Sequence, residues 1–157
     1  MSDLPANPRF ARLMQTFAER LGLPVPVEGL GLELQDESLT LRILADADDG
    51  LLVEVDVGSA HNAPAAALAL LHRINHVARL RHGWQVGLDE DDHIVLNTRR
   101  SIARTDAGAL ERLVDAGLER ADSLQRLWHK ALQSLEQDGQ SRGAETLPAF
   151  SAGALRA

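Results

Sequence analysis

The sequence predicts an α+β domain: a twisted, five-stranded antiparallel sheet flanked by three helices, in the order α-β-β-β-α-β-β-α. Three observations carry this. Five short runs alternate apolar and polar residues, the mark of strands covered on one face. The first three runs are joined by turns too short for a crossover, which favours an antiparallel meander. Three further segments repeat their apolar residues at helical spacing and stand apart from the strands, as in α+β proteins. The 157 residues match one ordinary domain, or a domain with a tail.

The first helix starts at Asn7, a capping residue, with Pro8 at the first helical position. Phe10, Leu13, Met14, Phe17 and Leu21 form one apolar stripe, and Arg9, Arg12, Gln15, Glu19 and Arg20 lie largely off it. Gly22 stops the helix, and Pro24 and Pro26 prevent its return.

Three strands follow. Leu30, Leu32 and Leu34 alternate with Gly31 and Glu33; Leu39, Leu41 and Ile43 alternate with Thr40 and Arg42; Leu51, Val53, Val55 and Val57 alternate with Leu52, Glu54 and Asp56. The faces turned from the core then carry Glu33, Thr40, Arg42, Glu54 and Asp56.

A second helix runs from about Pro64 to about His82, with Leu68, Leu70, Leu71, Ile74, Val77 and Leu80 over about half its circumference. A helix that only roofs a sheet needs a stripe of roughly 100°. The surplus width predicts a second contact, most simply with another copy of the chain. After Gly83, Trp84, Val86 and Leu88 alternate, Asp89 to Asp92 turn, and Ile94 and Leu96 return as a hairpin.

The last helix is capped by Thr105 or Asp106 and carries Leu110, Val114, Gly117, Ala121, Leu124, Trp128, Ala131 and Leu135 along one seam. Small residues at Gly117 and Ala121 favour packing on a sheet over a free coiled coil. From Asp138 the period is lost. The expected division is therefore a domain over 1–137 and a flexible tail over 138–157.

A formal charge of −7 argues against non-specific nucleic-acid binding and against a polybasic attachment to membrane. The absence of cysteine excludes disulfides, thiolate metal sites and cysteine nucleophiles. Aromatics make up only 3%, which disfavours pockets that stack a planar cofactor or a base. No apolar run is long enough to span a membrane, and the amino-terminal residues do not read as a secretory signal.

Candidate chemistry is thin. His72 and His76 share a helix face, but Arg73 stands where a zincin helix has glutamate. Counted from Asp46, the positions an EF-hand gives to Gly and Glu hold Leu51 and Val57. Gly29-Leu30-Gly31 opens a strand, not a helix, and no phosphate loop or nucleophile elbow occurs. The acidic run Asp89 to Asp92 reads as a turn that can attract a cationic partner. Arg99, Arg100 and Arg104 form a basic patch, read as a solvated loop or as a dock for an acidic partner. A small enzyme using His72, His76 or His93 stays a rival with no nameable constellation.

What stands out is apolar surface on the first and second helices. In its order, and in the stretches FARLMQTFAERLGLP, LLVEVDVG and PAAALALLHRINHVARLRHGWQVGLDEDDHIVL, the chain resembles the class I type III secretion chaperones, the CesT/Tir chaperone family. Its length and tail are also similar to the broad-specificity, HpaB-like chaperones of plant-pathogen secretion systems. The resemblance covers residues 8 to 136. It implies a cytoplasmic bacterial protein, a homodimer without cofactor or metal, and no enzymatic activity. Its clients would be the N-terminal regions of secreted effectors, held extended and delivered to the secretion apparatus, with the secretion ATPase as a further partner.

The resemblance places effector contacts at Phe10, Leu13, Met14, Phe17, Leu30, Leu32 and Leu34, and the dimer at Leu70, Ile74, Val77, Trp84 and Val86. This reading needs Phe10, Met14, Phe17 and the outer edge of the second helix to be available to another polypeptide. An alternative within the same fold is a regulatory adaptor of the anti-activator type that binds a folded protein.

Overall fold

The computed structural model describes residues 7–25, 31–36, 38–47 and 49–144, with side chains omitted at 36, 77–82 and 138–144. The elements are α1 (Pro8–Leu21), β1 (Leu32–Asp36), β2 (Leu39–Asp46), β3 (Gly50–Ser59), α2 (Ala65–His82), β4 (Gln85–Leu88), β5 (His93–Ser101), a 3-10 turn η1 (Ile102–Arg104) and α3 (Ala107–Ala144). This is the predicted order.

Local chemistry sets the helix ends. The Asn7 side chain accepts from the backbone N–H groups of Arg9 and Phe10 at 3.0 and 3.3 Å, fixing the start of α1. Gly22, at φ 66°, ends α1 in the left-handed region that a side chain would strain. Asp106 accepts from the N–H of Ala109 at 2.7 Å and so caps α3.

The sheet runs β1-β2-β3-β5-β4, every neighbour antiparallel. The meander is as predicted. The hairpin attaches through its second strand, so β5 lies beside β3 and β4 becomes an edge. A bulge interrupts the β3–β5 ladder between Asp56 and Gly58. One face of the sheet buries Leu41, Ile43, Leu51, Val53, Val55, Val57, Ile94 and Leu96. Phe10, Met14 and Phe17 of α1, Ala67 and Leu71 of α2, and Leu110, Ala121, Leu124 and Trp128 of α3 join the same cluster. The other face carries the predicted polar residues, with Arg42 bridging Glu33 and Glu54 at 3.2 and 3.4 Å.

Two expectations shift. Leu21, read as part of the first stripe, is 41% exposed, because the chain leaves α1 at the next residue. The third helix continues to Ala144, past Asp138 and through Gly139 and Gly143. Residues 145–157 of the expected tail lie outside the described residues. Among the described residues, no helix is long and apolar enough to cross a membrane.

Candidate functional site

The sequence nominated two apolar surfaces, and the structure treats them differently. On α1, Phe10, Leu13, Met14 and Phe17 are 2%, 8%, 1% and 0% exposed. They form part of the core of a single subunit: in this packing the stripe that reads as a groove lies against α3 and η1. Leu32 is buried with them, Leu34 is half-buried against the same cluster, and Leu30 lies outside the described residues.

What α1 leaves at the surface is its flank. There an open groove of about 670 Å³ runs between Pro8, Arg9, Arg12, Leu13 and Thr16 on one side and Ile102, Ala103, Thr105, Asp106 and Ala107 on the other. Leu13 and Ile102 give it an apolar floor, both almost wholly buried.

The second surface surrounds α2. Ala67 and Leu71 face the core, whereas Leu68, Leu70 and Ile74 stay half-buried. The wide apolar face predicted for this helix is thus incompletely consumed within one subunit. A cleft of about 360 Å³ opens beside it, floored by Trp84, Val86, Leu96 and Leu124 and walled by Ile74 and Leu127. Leu127 is 52% exposed. Trp84 and Val86, both assigned to a dimer contact, are 2% and 7% exposed and present only their rims to the cleft. The side chain of Val77 lies outside the described residues. A smaller hollow of about 190 Å³ lies between Leu68, Leu71, His72 and Asn75 of α2 and the 86–88 segment of β4.

The edge strand itself is partly occupied. Asn75 Oδ1 accepts the backbone N–H of Val86 at 3.0 Å, so α2 covers one hydrogen-bonding position at that edge. Thr98, the buried polar residue of β5, donates to the Gly83 carbonyl at 2.8 Å and fixes the exit of α2.

The titratable groups serve structure. His93 Nδ1 sits 2.8 Å from Asp56 Oδ2, while Asp56 Oδ1 accepts from the N–H of Gly58 at the bulge. The hydrogen bond to Asp56, and then its charge, raise the His93 pKa above the ordinary value. Ser59 stands opposite His93 in register, but its hydroxyl accepts from the N–H of His61 and makes no bond to the imidazole, so no nucleophile completes the pair. Asp89 accepts from the N–H groups of His93 and Asp91, and those bonds hold its carboxyl below the usual range. The acidic run is therefore a hydrogen-bonded hairpin turn, as read from the sequence. His72 and His76 are exposed, and no metal-binding cluster occurs among the described residues. Of the basic patch, Arg99 pairs with Asp46 at 2.7 Å and Arg100 donates to the Arg99 carbonyl, leaving Arg104 unpaired.

The sequence profile of the Tir chaperone protein (CesT) family matches residues 12–125. No curated protein matches the chain. Among solved structures, the ExsC–ExsE complex is similar at 26% identity over 75% of this chain and 92% of that one, with a TM-score of 0.66. The HopA1–SchA chaperone–effector complex follows at 18% identity, 78% and 94% coverage and a TM-score of 0.61. The Yersinia pestis type III secretion chaperone SycH, in complex with a stable fragment of YscM2, gives 20% identity, 73% and 98% coverage and 0.59. The last two share the fold.

Proposed function

The chain belongs to the Tir chaperone protein (CesT) family, and from that premise we propose that it is a type III secretion chaperone. It binds the N-terminal region of effector proteins in an extended, non-folded state and delivers them to the secretion apparatus, acting by binding alone in the bacterial cytoplasm. The observation that carries this is the half-covered apolar surface around α2, together with the open groove on the flank of α1, in a fold shared with a chaperone solved together with its effector.

The thermodynamics fit an extended client. Each apolar side chain removed from water contributes about 1.5–3 kcal/mol. Ordering a disordered segment costs about 2–5 kcal/mol or more. Several anchors are therefore needed, and two copies of each groove in a homodimer supply them. The dimer forms through Leu70, Ile74 and the rims of Trp84 and Val86, with Leu127 closing the cleft. The client runs along the flank of α1 towards Leu34 on β1. Release falls to a partner such as the secretion ATPase.

The test is co-purification with effector N-terminal fragments, followed by competition with the same segment as an unfolded peptide. A chaperone is competed off by the peptide. Capture of folded effector domains only, with no competition by the peptide, overturns the reading in favour of an adaptor.

A further inference from the structure

Fifteen of the sixteen cationic side chains are arginine. Most of those described are engaged: Arg20 with Glu111, Arg42 with Glu33 and Glu54, Arg99 with Asp46, Arg126 with Asp122, and Arg100 and Arg120 with carbonyl groups. Among the described arginines, Arg9, Arg12, Arg73, Arg104 and Arg112 make no hydrogen bond or ion pair through the guanidinium. Two of these five line one groove, and two more, Arg104 and Arg112, lie beside its lining segments.

Arg9 and Arg12 line the α1 groove itself. Arg104 stands exposed between the groove residues Ala103 and Thr105. Arg112 brings Nη1 to 3.7 Å from the Cβ position of Gly108, one residue from groove-lining Ala107. Of the nearby carboxylates, Glu111 is charge-paired, whereas Asp106 in the groove lining and Asp49 accept from neutral donors and keep their charge. Asp106 caps α3, Glu111 holds Arg20 at 2.9 Å, and Asp49 accepts from the Asn7 amide at 3.2 Å. An acidic chain has thus concentrated unsatisfied guanidinium groups around a groove with an apolar floor.

We infer that this groove takes an acidic, extended segment of the client, its carboxylates held by Arg9, Arg12, Arg104 and Arg112 and an apolar side chain between them seated on Leu13 and Ile102. The inference rests on the chaperone reading above and names the chemistry of the segment recognised. Arginine suits the task, because its planar fork meets a carboxylate with two parallel hydrogen bonds. Elsewhere the net charge of −7 repels an acidic segment, so the patch also sets where along the surface that segment lies.

All four arginines are exposed, and replacing them breaks no guanidinium hydrogen bond or ion pair among the described residues. The probe is a fluorescein-labelled peptide in which Glu and Leu alternate between Ser residues, read by anisotropy beside its Glu→Gln counterpart. The expected result is binding of the Glu peptide that weakens as salt rises. It drops about tenfold in the Arg9→Gln, Arg12→Gln, Arg104→Gln, Arg112→Gln protein and recovers only partly with lysines. Equal binding of the Gln peptide, tighter binding of a single-stranded oligonucleotide, or an arginine-dependent self-association without peptide binding each overturns the inference. The same two proteins are then tested on effector fragments. Equal capture by both overturns this inference and leaves the chaperone reading standing. No capture by the wild type, with the Glu peptide still bound, overturns the chaperone reading alone.

Discussion

The indole of Trp84 lies on Gly117: a Cβ at that position would stand 2.7 Å from Cη2 and 3.2 Å from Cζ2 of the ring. Trp84 follows the end of α2, and Gly117 lies within α3, so this contact seats the entry to β4 on the long helix. Two effects compete on substitution. Alanine gains about 1 kcal/mol of helix propensity over glycine. Overpacking a filled core costs about 1–3 kcal/mol. Gly117→Ala is therefore expected to lower stability slightly, and Gly117→Leu markedly, each with a shift in Trp84 fluorescence measured in a Trp128→Phe background. A gain of the full propensity term in Gly117→Ala, by urea unfolding, would show that the indole yields freely.

The His93–Asp56 pair gives stability a pH dependence of defined sign. Hydrogen bonding to Asp56, and then its charge, lift the folded pKa of His93 above 6.5. Its contribution is fully present below that value and is lost as pH rises through the folded pKa. Wild type should exceed His93→Gln in urea midpoint by the widest margin near pH 6, with the margin closing in mildly alkaline buffer. An NMR titration of the imidazole should fall back towards 6.5 in Asp56→Asn. A constant margin across this window would mean that the pair contributes nothing through charge.

Elements were legible in the sequence where one local period decides them. The alternation of Leu51, Val53, Val55 and Val57 and the seam through Leu110, Val114, Ala121, Leu124 and Trp128 both survive as buried faces. What covers a face was not legible, because an amphipathic stripe reports burial without naming the partner. Phe10 and Phe17 therefore read equally well as groove or as core. Likewise Leu44 and Leu52, of the same residue type as the core, lie half-buried on the polar face of the sheet. The β3–β5 pairing joins strands separated by a whole helix, and no local spacing announces it. The cationic groove draws Arg9 and Arg12 from one helix, Arg104 from a turn and Arg112 from another helix. Their early signs were that Arg9 and Arg12 lie off the apolar stripe and that Arg104 belongs to a basic patch read as a loop or as a dock for an acidic partner.

At the β4 edge, Asn75 offers a sharper test than its exposure implies. Its Oδ1 is the acceptor for the N–H of Val86, a residue only 7% exposed. Asn75→Ala leaves that donor without a partner and is expected to cost about 1–3 kcal/mol. Hydrogen exchange at Val86 should quicken more than at Leu96. Asn75→Asp keeps an acceptor and should restore slow exchange. Equal exchange in all three proteins would rule out the side chain as the cover of this edge.

The dimer proposed for α2 makes a prediction about mass. Ile74 is half-buried at the wall of the apolar cleft, and Leu127 faces it from α3 at 52% exposure. Ile74→Asp and Leu127→Asp place a charge where a second copy would have to desolvate it. Light scattering should give twice the chain mass for wild type and the single-chain mass for both variants, with unchanged helical circular dichroism. A wild-type monomer would remove the dimer from the proposal.

Phe17 separates two ways in which a client can meet α1. The side chain is 0% exposed, so Phe17→Asp unfolds the subunit before it can report on any contact. Phe17→Leu is the usable variant, loosening the attachment of α1 at a cost well below the roughly 3–5 kcal/mol of truncation to alanine. If a client displaces α1 to reach the phenylalanines, loosening the helix populates the competent state and tightens binding in proportion. If the client lies along the Arg9, Arg12 and Thr16 flank with α1 in place, the affinity of Phe17→Leu matches wild type while its urea midpoint falls. The flank geometry predicts the second outcome, by calorimetry with an effector fragment beside an unfolding curve of the free protein. Tighter binding in the destabilised variant would return Phe10, Met14 and Phe17 to the client and make the observed packing the closed state of a lid.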